Sequence, residues 1–207
     1  MYLQLALDRL TREECFQIVK ETESSIDLIE IGTGVIKEYG LAIVRDMKER
    51  YSHKTIVADM KTCDAGKHET QQAFKSGADI STVMAFSNDQ TIMDSLEVAK
   101  YYDKRIMIDL LGVSDCKRID RLIELGVDLF CLHHGKDLQK QKVLDYESFA
   151  TSDFIEGIQV SVAGGITIEN LSKILEKNPD IIIVGSSITM ASDRGKVARY
   201  FKEKISK

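Results

Sequence analysis

Short apolar runs and longer mixed stretches alternate along this chain from one end to the other. The runs Tyr2–Asp8, Asp27–Ile31, Thr55–Asp59, Ile80–Met84, Arg105–Leu110, Leu129–His133, Ile158–Ala163 and Ile181–Val184 have the length and β-branched content of buried strands. Between them lie stretches of about 15–20 residues with helix-forming composition, such as Thr91–Tyr102 and Ser114–Leu125. Thr11 followed by Glu14 forms a capping-box pattern at the first helix. Gly77-Ala78-Asp79 and Gly126-Val127-Asp128 are matching devices in which glycine ends a helix and the chain enters a strand. Repeated β-α units imply a parallel sheet, and eight of them can close as a (β/α)8 barrel of the TIM type. A doubly wound open sheet is the alternative fold.

The first run favours closure. Leu3, Leu5 and Leu7 alternate with Gln4, Ala6 and Asp8. The leucines suit an outer face covered by helices, Gln4 and Ala6 a narrow interior, and Asp8 the mouth of the barrel.

With 207 residues, 43% of them hydrophobic, the chain can bury a sizeable core and reads as one domain over 1–207. The single proline, Pro179, stands just before the last strand, and no stretch reads as a linker. A net charge of −5 argues against a nucleic-acid binder, which needs a basic face. It leaves room for a small anionic substrate. Cys15, Cys63, Cys116 and Cys131 are scattered, with no CxxC pair, so reduced thiols are expected. No secretory signal and no membrane-spanning run is visible, which makes a cytoplasmic location the expectation.

Polar residues collect at strand ends. Asp8 closes the first strand, Glu30 the second, Asp59 and Lys61 the third, Asp109 the fifth and His133 the sixth. Each has an ordinary reading alone: a helix-capping aspartate, a hydrogen-bonded histidine, a solvated lysine. Together, at the same end of different barrel strands, they point to an active site at the carboxyl-terminal mouth. Asp8, Glu30, Asp59 and Asp109 crowd one lysine, an arrangement that calls for a cation. Glu30 and Asp59 on adjacent strands suit Mg²⁺, which commonly takes one or two carboxylates plus substrate oxygens. Gly164-Gly165 and Gly185-Ser186 follow the last two strands, where loop amides of this barrel bind phosphate.

Asp59-x-Lys61-x-x-Asp64 resembles the strand-three signature of the orotidine monophosphate decarboxylase superfamily. Within it the chain is most similar to the 3-hexulose-6-phosphate synthase group, over nearly its whole length. Leu5-Ala6-Leu7-Asp8, Ile29-Glu30-Ile31-Gly32-Thr33, Ile108-Asp109-Leu110-Leu111-Gly112, His133-x-Gly135-x-Asp137-x-Gln139 and Val162-Ala163-Gly164-Gly165-Ile166 carry the likeness. The resemblance implies a ribulose-phosphate-binding barrel and a Mg²⁺-dependent aldol reaction between formaldehyde and D-ribulose 5-phosphate. It implies Glu30 and Asp59 on the metal, His133 as general base at the sugar's C1, and Lys61 near the developing charge. Asp8 and Asp109 would position hydroxyls and Lys61; Gly165, Gly185 and Ser186 would hold the phosphate. Asp64 would reach into the partner's site of a homodimer.

His134, Ser186 and Ser87-Asn88 depart from the usual pattern, and Arg194 reads equally as an aid to the phosphate grip or as a surface helix charge. The nearest rival is 3-keto-L-gulonate-6-phosphate decarboxylase. That group usually has glutamate, arginine and threonine where this chain has Asp109, Lys136 and Ala163. Orotidine monophosphate decarboxylase itself places lysine near Glu30. A catalytically silent sugar-phosphate-binding protein is the reading from a different class.

Overall fold

A computed structural model of the protein describes residues 1–135, 137 and 157–206. Eight parallel strands close into a barrel in chain order, so the open-sheet alternative is excluded. They are β1 (Tyr2–Leu7), β2 (Leu28–Ile31), β3 (Thr55–Thr62), β4 (Ile80–Met84), β5 (Arg105–Asp109), β6 (Leu129–His133), β7 (Gln159–Ala163) and β8 (Ile181–Val184). The helices described are α1 (Arg12–Thr22), α2 (Thr33–Tyr39), α3 (Ala42–Arg50), α4 (Gly66–Lys75), α5 (Asp89–Tyr102), α6 (Cys116–Glu124), α7 (Leu171–Leu175), α8 (Ser186–Thr189) and α9 (Arg194–Ile205). The expected capping box opens α1: Glu14 N–H donates to Thr11 Oγ1 and Thr11 N–H to the Glu14 carboxylate. None of the described helices is long and apolar enough to cross a membrane.

Alternation along the strands divides the core. Leu3, Leu5, Ile29, Ile56, Ile106, Phe130, Val160 and Ile182 point outward and pack beneath the helices. The inward positions stack in layers of alternate strands, as the geometry of this barrel requires. Leu28, Ile80, Leu129 and Ile181 close the floor. Gln4, Val57, Met107 and Ser161 lie above them, then Glu30, Thr82, Cys131 and Ile183, then Ala6, Asp59, Asp109 and Ala163. The interior thus changes from wholly apolar to largely ionic over a few residues of strand.

The amino-terminal end of the barrel carries a repeated clamp. Asp27, Asp79 and Asp180, just before β2, β4 and β8, each donate N–H to a carbonyl of the preceding strand and accept that residue's N–H on the carboxylate. The strand residues so held are Leu3, Ile56 and Val160. Asp128 stands at the same point before β6 but pairs its carboxylate with Arg105 instead.

Strand β3 differs from expectation. It does not end at Asp59 but continues to Thr62 through a bulge: Ala58 pairs with Ser81, and the next β3 residue in register with β4 is Thr62, opposite Val83. Lys61 within the bulge has φ +48°, a left-handed conformation that costs a residue with a side chain.

Candidate active site

The bulge, the ends of β1, β2 and β5–β8, and the loops behind them enclose a cavity of about 500 Å³ at the carboxyl-terminal mouth. Asp8, Glu30, Asp59, Lys61, Asp109, His133, Gly164, Gly165, Gly185 and Ser186 all line it. Of the expected site residues only Asp64 does not.

Lys61 is the centre of the charge network. Its Nζ lies 3.1 Å from Asp59 Oδ1 and 2.5 Å from Asp109 Oδ2. Burial alone would lower the pKa of this ammonium, but Asp59, Asp109 and Glu30 outweigh it and hold the pKa above the ordinary lysine value. Asp109 is 2% exposed. Burial pushes its pKa up, yet the hydrogen bond and charge of His133, with Lys61 behind them, bring it down to about 2. His133 Nδ1 lies 2.9 Å from Asp109 Oδ2, so a neutral ring donates from Nδ1 and keeps Nε2 as its basic nitrogen. Leu111 N–H donates to the other Asp109 oxygen, fixing the plane of the carboxylate.

Asp59 is clamped more tightly still. Thr82 Oγ1 donates to its Oδ1 over 2.8 Å and Thr33 Oγ1 lies 2.7 Å from its Oδ2. Three donors leave Asp59 little freedom to turn, but Oδ2 keeps a lone pair. Glu30, one layer deeper, accepts from Gln4 Nε2 over 2.7 Å. Burial, then repulsion from Asp59, pushes the Glu30 pKa up to about 7. No group of three or more His, Cys, Asp or Glu able to cage a metal occurs among the described residues. Two fixed carboxylates beside an open cavity fit Mg²⁺, with water and substrate oxygens completing its shell.

At the β7 and β8 end, Gly164 and Gly165 have φ +98° and +67°. A Cβ on Gly164 would stand 2.0 Å from the His134 carbonyl oxygen, so glycine is required there. His134 N–H donates to Ala163 O, and His134 is not among the cavity-lining residues, whereas His133 is.

One outcome differs from the expectations. Asp8 pairs with Arg9 at 3.8 Å rather than with Lys61, and sits against Gly32 and Gly34. Arg194 is not at the cavity: its guanidinium reaches Thr189 O and Glu21. Among the described residues, the cations that line the mouth besides Lys61 are Arg9 and Lys37. Asp64 is exposed, on a loop between the left-handed residues Lys61 and Ala65. Lys136 and Gln139 lie outside the described residues.

Residues 1–201 match the family described as Orotidine 5'-phosphate decarboxylase / HUMPS family. The chain belongs to this family. It is 38% identical over 207 residues to a 3-hexulose-6-phosphate synthase of Bacillus subtilis (strain 168), covering 99% of each. Among solved structures, 3-hexulose-6-phosphate synthase from Salmonella typhimurium superposes with a TM-score of 0.96 at 33% identity, covering 100% of this chain and 99% of that one. KGPDC from Streptococcus mutans, solved with a ligand bound, gives 0.93 at 25% identity, covering 99% and 97%. Full-length likeness at this level places the chain among the enzymes of this family, as a lyase.

Proposed function

We propose that this enzyme joins formaldehyde to C1 of D-ribulose 5-phosphate, giving a 3-hexulose 6-phosphate, and catalyses the reverse cleavage, with Mg²⁺ as cofactor. The observation that carries the reading is Asp109 holding Lys61 and His133 on one buried carboxylate beside the Glu30–Asp59 pair. Glu30 and Asp59 would hold the Mg²⁺, which when bound supplies Lewis-acid stabilisation of negative charge on the sugar oxygens.

His133 Nε2 takes the proton from C1, and Asp109 stabilises the resulting imidazolium through Nδ1. Lys61 faces the charge that this leaves on the sugar oxygen and offsets it. C1 then attacks the formaldehyde carbon, and the aldehyde oxygen takes up the proton held on His133 as the new carbon–carbon bond closes. Amides around Gly164, Gly165, Gly185 and Ser186 receive the phosphate, with Arg9 and Lys37 adding positive charge at the rim.

The enzyme works as a cytoplasmic homodimer with shared sites. Asp64 is exposed and outside its own cavity lining, after a strand end held by the Thr62–Glu69 hydrogen bond of 2.7 Å and by Ser87 on Thr62 O. A stiff loop carrying an exposed carboxylate suits completion of a partner's site.

Formaldehyde consumption with ribulose 5-phosphate, with and without EDTA, tests the reading, beside CO₂ release from 3-keto-L-gulonate 6-phosphate. Faster turnover of the second substrate would reverse the assignment in favour of the decarboxylase.

A further inference from the structure

We infer that Thr82 is a positioning residue for Lys61: its hydroxyl, in place of the sheet ladder, holds the lysine's backbone in the conformation that sets Nζ between Asp59 and Asp109. The inference rests on the role given to Lys61 in the proposed reaction.

The geometry starts from the β3 bulge. A parallel ladder would satisfy the Lys61 N–H with a β4 carbonyl, but the register skips from Ala58–Ser81 to Thr62–Val83. The Lys61 N–H donates instead to Thr82 Oγ1, over 2.9 Å. The same hydroxyl donates onward to Asp59 Oδ1, over 2.8 Å. One side chain, 3% exposed, therefore ties the backbone of Lys61 to the carboxylate that its own Nζ contacts.

Lys61 needs such a tie because φ +48° is costly for a residue with a Cβ. Without the hydroxyl, the lysine N–H loses its partner inside the barrel wall and Asp59 Oδ1 loses a donor. The backbone is then free to relax toward an ordinary strand conformation, carrying Nζ with it. The plain alternative is that Thr82 merely fills an interior position suited to a β-branched side chain. Valine has the same shape, so the two readings separate cleanly.

Thr82→Val removes only the hydroxyl, and Thr82→Ser keeps it while trimming a methyl. Thr82→Ala is a second hydroxyl-free variant should valine not be tolerated beside Asp59. Hydrogen exchange at the Lys61 amide and steady-state kinetics with ribulose 5-phosphate and formaldehyde are measured on each. In Thr82→Val the Lys61 amide exchanges at least about five-fold faster, the loss of one hydrogen bond. Its kcat falls roughly 100-fold, as expected for a displaced catalytic group, while KM for the sugar phosphate moves less than about three-fold. Thr82→Ser recovers both amide protection and most of kcat. Wild-type amide protection in Thr82→Val, or equal damage in Thr82→Ser and Thr82→Val, overturns the inference. Should the wild-type protein not turn over these substrates, the proposed reaction fails, and amide exchange still decides the role of Thr82.

Discussion

Replacing Lys61 with methionine removes one charge and little volume from a site where two carboxylates depend on it. Asp59 is 6% and Asp109 2% exposed, and the ammonium sits 3.1 and 2.5 Å from them. Taking one partner from a buried ion pair costs about 3–5 kcal/mol, because the remaining charge stays buried without compensation. The loss has a ceiling. One carboxyl can protonate, and holding it neutral at pH 7, about three units above its ordinary pKa, costs about 4 kcal/mol. At pH 5 the same protonation costs only about 1.5 kcal/mol. Lys61→Met is therefore expected to lose about 3–4 kcal/mol at pH 7 and less than half of that at pH 5. The sign follows from the variant's raised carboxyl pKa. Stability is kept below the unfolded value and lost as pH rises through the folded one. Urea unfolding in EDTA at both pH values measures this without metal. Adding Asp109→Asn should return much of the loss, since it removes the charge that Lys61 balanced. A deficit under about 1 kcal/mol at pH 7, or one that grows on acidification, would refute the account of the network.

Glu30 makes a second pH prediction. Its folded pKa of about 7 stands above the ordinary value of 4.5, so metal-free stability is full below the lower value and falls as pH rises through the higher. The decline amounts to about 3 kcal/mol, and Glu30→Gln should abolish it in a thermal-melt series from pH 4.5 to 8 in EDTA. His133→Ala should remove C1 proton exchange of ribulose 5-phosphate in D₂O while leaving the melting temperature within a few degrees of wild type; near-normal exchange would remove His133 from the role of base. Mixing inactive Lys61→Ala with inactive Asp64→Ala should restore about a quarter of wild-type turnover if Asp64 serves the partner's site, since half the dimers are hybrids with one intact site. No recovery on mixing would place Asp64 outside that role. Asp79→Ala breaks the clamp on Ile56 and takes the carboxylate from Lys48 and Lys104, so it should cost about 2–4 kcal/mol with kcat unchanged.

Inward and outward alternation was legible in β1, where Leu3, Leu5 and Leu7 turn toward the helices and Gln4 and Ala6 inward. The gathering of Glu30, Asp59, Lys61, Asp109 and His133 was equally legible, because parallel closure brings strand ends to one mouth. The neutral donors that hold them were not. Gln4, Thr33 and Thr82 are residue types common in any barrel, and only their placement marks them as clamps on Glu30 and Asp59. Arg9 and Lys37 escaped notice for a similar reason: an arginine after a strand and a lysine on a helix look solvated until the cavity is drawn. The helix-to-strand devices at Asp79 and Asp128 belong to a longer series. Asp27, Asp79, Asp128 and Asp180 recur before every even-numbered strand, a period of two β-α units that marks the base of the barrel.

The β3 bulge explains why the signature carries its lysine two residues after its first aspartate without being an ordinary strand end. In a regular strand, inward residues two apart stand about 6.5–7 Å from each other along the chain, one barrel layer from the next. Asp59 and Lys61 would then occupy separate layers, with the lysine extending out of the mouth toward solvent. The bulge folds that distance away: it shortens the run between Ala58 and Thr62 to the span of Ser81–Val83 and turns Lys61 back over Asp59 and Asp109. The barrel gives up regular backbone pairing at one point and replaces it with the Thr82 hydroxyl. In return the cation is held inside the layer of carboxylates, where the low dielectric makes its charge count most. The same shortening sends the chain out of β3 early enough for Cys63 and Asp64 to clear the cavity before α4 begins at Gly66. A single irregularity thus separates the two aspartates of the signature, leaving Asp59 in the cavity wall and Asp64 exposed outside it.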